Sequence, residues 1–305
     1  MPVVSIRHLT TYRYRNPVSF GEHRMMFRPL EAFDQRVLSA ELEISPEPGL
    51  FRHVHDAGGA SVGVVRFDRR SDRLSFESRI LLEHAPHGGF DLEAEGAVLR
   101  DGTPLYDGHE MAELARSLTR WRPDRGEVAA WARSFLRPVG PTRVSEALTE
   151  MTHAIREGFA YRLRLSGAPQ TPVETLESRT GSCRDFAVLM MEAARSLGVA
   201  ARFVSGYVYS TSPKGRTGGG HTHAWIRAYV PGCGWIDFDP TNGIIGGADL
   251  IRVAVAADPR EALPLHGTWT GEAGDYLGMD VEVAISTPPA VAAKLQAVSG
   301  VALAR

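Results

Sequence analysis

The run GSCRDFAVLMMEAARSLG, residues 181–198, leaves this chain the least freedom. Ser182 followed three residues later by Asp185 is a capping-box start, in which two side chains satisfy N–H groups that the first helical turn leaves open. Phe186, Leu189, Met190, Ala193 and Leu197 then form an apolar stripe at helical spacing, and Gly198 is placed to take the left-handed conformation that ends a helix. Such a helix needs cover, so a buried central helix opening at Cys183 is predicted. The segment VAARFVSGYVY directly after it reads as a strand, which gives the helix a sheet to lie on.

Period-2 alternation governs residues 1–86. In RLSFESRILLE, Leu74, Phe76, Ile80 and Leu82 share a parity, as half-buried antiparallel strands require, and Asp56 to Gly59 supplies a turn between two such runs. The pattern then changes to three helical stretches within 108–158, the clearest carrying Val144, Leu148, Met151 and Ile155 on one face. Thr171, Pro172 and Glu174 open a further short helix, and the Gly-rich STSPKGRTGGG reads as a mobile loop. The expected class is α+β. An antiparallel β-sandwich-like domain covers 1–86, and a helical connecting region over 87–158 packs on the core. The core with its following strands occupies 159–285, and 286–305 is a tail.

Composition excludes several functions. Lys and Arg number 34 against 36 Asp and Glu, net charge -2, and the basic residues are dispersed, so neither a nucleic-acid nor a membrane partner is expected. Two cysteines exclude a disulfide framework, and 11 histidines without a Cys/His ladder do not make a structural zinc site. The opening MPVVSIRHLTTYRYRN has no apolar leader core, and no apolar run is long enough to span a membrane. A cytoplasmic protein is the expectation; oligomeric state is left open.

Two segments carry chemistry. Cys183 at the first helical position places its sulfur beside unpaired N–H groups and the positive end of the helix dipole, which favours the nucleophilic thiolate. The plainer reading is a small buried apolar residue. Cys233, in PGCG at a hairpin tip, is expected to be incidental. A thiolate needs a base and a third group to orient that base, and HTHAWIRAYVPGCGWIDFDPTNG, residues 221–243, offers two histidines and two aspartates. Burying Ile226, Ala228, Val230, Ile236 and Phe238 on one face sets Ala228 opposite Ile236, so that paired residue numbers sum to 464. His221, His223, Asp237 and Asp239 then share the other face. Arg227 accounts for Asp237 as a cross-strand ion pair, which leaves His223 with Asp239 as the best-placed dyad. A sum of 466 would instead set Asp239 opposite Arg227. His221 and His223, with Cys183 or an aspartate, could alternatively hold zinc or iron, against a default of solvent-facing histidines.

Taken in order, GSCRDFA, a strand containing SGY, then HAW, then GW followed by DPTNG resemble the bacterial transglutaminase-like proteins of the papain-like cysteine enzyme superfamily. The resemblance implies a catalytic triad at Cys183, His223 and Asp239, a papain-like core with the Cys-bearing helix packed on an antiparallel sheet, no cofactor and no metal. HLTTYRYRNPVSFGEHRMMFRPLE is similar to the β-rich region that precedes this core in bacteria, and DLIRVAVAADPREALPLHGTWTG to the segment that follows it, so the likeness spans roughly 1 to 285. The implied function is cleavage or transfer of an amide or peptide bond through a thioester on Cys183. A cysteine protease or amidase acting on a protein or peptide is preferred over transamidation to an amine, as by a protein-glutamine gamma-glutamyltransferase. A non-catalytic binding module on the same fold is the third reading. The Cys183 backbone N–H and Tyr161 are the candidate oxyanion donors.

Overall fold

A computed structural model describes residues 2–85, 96–99, 105–122, 124–165, 167–209 and 217–287. Two compact units divide the chain. One takes 1–86, 219–222 and 264–305, the other 87–218 and 223–263. Residues 210–216 of the Gly-rich loop and 288–305 of the expected tail lie outside the described residues.

In the first unit, β1 (Val3–Met25), β2 (Gln35–Ser45), β3 (Leu50–His55), β4 (Ser61–Arg66) and β5 (Ser71–His84) form one antiparallel sheet in the order β2-β5-β1-β4-β3. The strands Leu265–Thr270 and Tyr276–Ser286 complete it, both paired to β1. A single curled sheet thus encloses the core. β1 runs for 23 residues, and its register shifts after Arg13 and after Phe20, bulges that bend a strand and let its two halves serve different partners. Leu74, Phe76, Ile80 and Leu82 are all buried, on the parity that alternation sets. Phe76 and Leu74 pack with Tyr14, Val18, Phe20 and Met25 in the enclosed core.

The second unit contains five α-helices among its described residues: α1 (Gly108–Leu118), α2 (Glu127–Arg133), α3 (Val144–Gly158), α4 (Pro172–Ser178) and α5 (Cys183–Ser196). Val144, Leu148, Met151 and Ile155 are the buried face of α3, and the Thr171, Glu174 capping box opens α4. Its sheet is antiparallel throughout. It consists of β6 (Ala201–Val208), β7 (His223–Val230), β8 (Gly234–Asp239), β9 (Ile244–Ile245) and β10 (Leu250–Ala256), in the order β9-β8-β7-β6-β10, and α5 packs on β6 and β7. Gly206, in the SGY of β6, sits where the ladder to β10 shifts register. A Cβ there would collide with the Ile251 carbonyl and approach the Trp225 indole to 2.8 Å.

The helix α5 differs from its expected form in one respect. The sequence predicts an apolar stripe, but the helix is buried on all sides, Glu192 and Arg195 included. Charged groups tolerate this because each is met. Glu192 accepts the Trp121 N–H (2.9 Å) and pairs with Arg195 (3.3 Å). Arg195 donates to the carbonyls of Ser117 (3.0 Å), Ala201 (2.8 Å) and Ala257 (2.7 Å), tying α5 to the end of α1, to β6 and to the segment after β10. Removing Arg195 leaves three carbonyls without their donor and takes from Glu192 one of its two cations, Arg120 at 3.5 Å being the other. Arg195→Met should therefore lower the free energy of unfolding by about 3–5 kcal/mol in urea titrations; a loss below about 1 kcal/mol would mean that water replaces the guanidinium at no cost.

Candidate active site

Cys183 is the first residue of α5, and it is placed by the carboxylate of Asp185. Buried in the first turn, Asp185 accepts the Ser182 N–H (2.7 Å) and hydroxyl (2.8 Å), which fixes the backbone just before the cysteine. The same carboxylate accepts Arg164 (2.7 Å) and the Gln170 N–H (2.7 Å), holding the preceding loop to the helix start. Helix geometry leaves the first-turn N–H groups pointing out of this end beside the sulfur. Cys183 is 7% exposed.

The hairpin of β7 and β8 carries the candidate base, His223. Ile226 pairs with Phe238, Arg227 with Asp237 and Ala228 with Ile236, the register in which residue numbers sum to 464. His223 Nε2 and Asp239 Oδ2 are 2.8 Å apart, both side chains fully buried. Asp237 is otherwise occupied: it faces Arg227 (3.2 Å) and Arg252 (3.4 Å) and accepts the Trp225 indole N–H (2.9 Å). His221 does not share the face with His223, contrary to the alternation. Residues 219–222 belong to the first unit, where Val283 N–H donates to the Gly220 carbonyl (2.8 Å) and His221 Nδ1 bonds the Val281 carbonyl (2.9 Å). Those bonds take the segment off the β7 ladder, which begins at His223. Cys233 lies in the turn after β7, its N–H donating to Val230 (2.9 Å).

Asp239 is further held by the turn that follows it. It accepts the Thr241 N–H (2.9 Å) and the Asn242 amide (2.7 Å) besides the imidazole. Burial would raise its pKa, but the His223 charge and these donors hold it below the ordinary carboxylate value. For His223, burial lowers the pKa. The Asp239 charge and hydrogen bond, with Cys183 beside the ring, override that and push it up to about 10. Because Nε2 is given to Asp239, Nδ1, buried and without a hydrogen bond among the described residues, is the nitrogen left for the thiol.

Tyr161 stands on the same centre. A two-residue parallel bridge pairs it with Gly181, two residues before the cysteine. Its hydroxyl is buried, and burial together with Cys183 and Asp239 raises its pKa. The structure thus brings Cys183, His223, Asp239 and Tyr161 together, and adds Asn242 and Gly218, which sequence pattern does not single out. Asn242 stands in DPTNG with the i+3 relation to Asp239 as its signal. Gly218 gives none, being one of three consecutive glycines.

Residues 129–240 match the transglutaminase-like superfamily, and residues 4–83 match the bacterial transglutaminase-like N-terminal region. The chain thus carries a transglutaminase-like core preceded by the bacterial transglutaminase-like N-terminal region. An uncharacterised Mycobacterium tuberculosis protein is 28% identical over 293 residues, 91% of each chain. A solved structure from Cytophaga hutchinsonii, provisionally named a cysteine protease, shares the fold with a TM-score of 0.69 at 20% identity, covering 93% of this chain and 90% of that one. A Pseudomonas aeruginosa protein-glutamine gamma-glutamyltransferase is 34% identical over 91 residues, 28% of this chain and 14% of that protein.

The coupled pair has a pH signature in this transglutaminase-like chain. A folded-state pKa of about 10 against 6.5 for His223 contributes stability that is full below pH 6.5 and lost as pH rises toward 10. The lowered Asp239 contributes stability present above pH 3.8 and lost as pH falls below it. Thermal melts between pH 6.5 and 10 should therefore show a steeper fall in Tm for the wild type than for His223→Gln. Parallel curves would contradict the raised His223.

Proposed function

We propose that this chain is a cysteine-dependent acyl-transfer enzyme, with Cys183 as nucleophile, His223 as acid and base, and Asp239 as the group that orients and charges the imidazole. One observation carries the reading. A buried His223 gives one nitrogen to a buried carboxylate at 2.8 Å and keeps the other for a cysteine at a helix start. That geometry favours catalysis over a binding module, because a fold kept for binding has no use for a buried imidazolium beside a thiol.

The chemistry follows from these positions. The Cys183 sulfur attacks an amide carbonyl, and negative charge gathers on its oxygen. The Cys183 N–H at the helix end and the Tyr161 hydroxyl are the donors we assign to that oxygen. His223 Nδ1 gives its proton to the departing amine, the C–N bond breaks, and a thioester on Cys183 remains. Water then attacks with His223 Nδ1 as base, the C–S bond breaks, and the acid is released. Hydrolysis of a protein or peptide substrate is our reading, since water is always present and an amine acceptor needs its own site. The likeness to a protein named protein-glutamine gamma-glutamyltransferase favours an amine acceptor as the second reading. Two free cysteines suit the reducing cytoplasm, and among the described residues no helix is long and apolar enough to cross a membrane.

Alkylation separates chemistry from exposure. Cys183 is the more buried of the two thiols, so access alone would favour Cys233. A free thiol is only a few per cent ionised at neutral pH, so iodoacetamide should modify Cys183 about tenfold or more faster than Cys233, as read by peptide mapping. Cys183→Ala should abolish acyl-enzyme formation while leaving the melting curve intact. Faster labelling at Cys233 would remove the basis for the assignment.

A further inference from the structure

Asparagine is common in turns because it tolerates left-handed backbone or bonds its own backbone two residues on. Asn242, in the turn after β8, is held for another reason. Among the described residues Arg179 is the one non-glycine with positive φ, and in this turn Gly243 takes that conformation, φ +69. The Asn242 amide is spent elsewhere. Its nitrogen donates to Asp239 Oδ2 (2.7 Å) and to the Thr217 carbonyl (3.2 Å), and its oxygen accepts the Thr217 N–H (2.9 Å). Both amide hydrogens are thus committed, and turning the amide over would set its oxygen against a carboxylate and a carbonyl. His223 Nε2 reaches the same Oδ2 (2.8 Å), so its 3.4 Å approach to the Asn242 nitrogen is two donors meeting at one oxygen. The Thr241 N–H holds the other oxygen (2.9 Å). The carboxylate cannot turn without losing one of the three.

The Thr217 arm reaches the ring at its other nitrogen. Gly218, φ +82, packs directly on it: a Cβ there would stand 2.9 Å from His223 Nδ1 and 3.5 Å from the Tyr161 hydroxyl oxygen. One amide therefore acts on the imidazole twice, at Nε2 through Asp239 and at Nδ1 through the backbone of Thr217 and Gly218. Resting on the acyl-transfer reading above, which it deepens, we propose that Asn242 is a positioning residue for His223, holding Nε2 on Asp239 and so aiming Nδ1 at the acyl group on Cys183. In hydrolysis of that thioester a water oxygen bonds to the carbonyl carbon as Nδ1 takes one of its protons. The C–S bond then breaks with its electron pair returned to sulfur, the acid leaves, and thiolate and imidazolium remain. A ring free to turn spends part of its time with Nδ1 out of line, and a misplacement of about 1 Å can cost about 10²-fold in rate.

The test acetylates the full chain with p-nitrophenyl acetate, locates the acetyl group by peptide mapping and follows its loss by intact mass between about pH 5 and 8. His223→Gln gives the rate without the base. Asn242→Ala should lose the acetyl group at least about tenfold more slowly than the wild type throughout this range. Asn242→Asp keeps the size of the side chain and the acceptor for the Thr217 N–H, but it can donate to Asp239 only while the new carboxyl holds a proton. Two carboxyls facing each other raise the pH at which that proton is lost. Among the described residues, Asp239 and His223 are the titratable groups against this position, with Cys183 and Tyr161 beyond the ring and the Arg156 stem beside Gly243. Relative to the wild type at the same pH, Asn242→Asp should therefore be slow at pH 8 and recover as pH falls, while Asn242→Ala does not. A side chain that only filled the turn would give a ratio independent of pH. Should Asn242→Ala not fold, the Asn242→Asp series decides alone. The inference is overturned by wild-type decay in Asn242→Ala or by an Asn242→Asp ratio that stays flat with pH. Decay of His223→Gln as fast as the wild type, or acetylation of Cys233 in preference to Cys183, is a separate failure: it overturns the acyl-transfer reading itself.

Discussion

Taking an ionised carboxylate out of water costs several kcal/mol unless charge and hydrogen bonds replace the solvent, and the fully buried Asp239 meets that condition with an imidazole, an amide and a backbone N–H. Each donor is thereby fixed as well. The imidazole cannot rotate without uncovering the charge, Thr241 is locked into the turn after β8, and Asn242 is aimed at Thr217. One buried charge thus sets the ring orientation, the turn and the backbone that lies against the imidazole.

A second carboxylate does the same work on the other side of the centre. Asp185 collects the Ser182 N–H and hydroxyl, the Arg164 guanidinium and the Gln170 N–H, so the residue before the cysteine and the loop before the helix answer to one group. Tyr161 is brought in by its pairing with Gly181 on the approach to that helix. Cys183 and His223 are therefore each positioned by an anion that is itself saturated with donors, which is how a rigid site is built from segments far apart in sequence.

Much of this is legible in the amino-acid sequence, for local reasons. Capping residues and helical spacing locate α5 and put Cys183 at its first position, and the parity of Ile226, Ala228, Ile236 and Phe238 fixes the hairpin register that selects Asp239 over Asp237. What escapes depends on contacts that local pattern does not encode. Glu192 and Arg195 lie off the apolar stripe, and an i, i+3 ion pair looks the same exposed or buried; only the carbonyls of Ser117, Ala201 and Ala257 explain their burial. His221 matches His223 in type and parity, and it is the Val281 carbonyl, 60 residues on, that takes it elsewhere. The role of Asn242 rests on Thr217, 25 residues earlier in a Gly-rich stretch.

All of this converges on the charge state of one ring. Nitrogen-15 NMR of histidine-labelled protein, with His223 assigned by its loss in His223→Gln, reads that state directly. With its pKa pushed up to about 10 by Asp239 and Cys183, His223 should be protonated on both nitrogens from pH 7 to 9 and titrate near pH 10. A His223 already neutral at pH 7 would contradict the account.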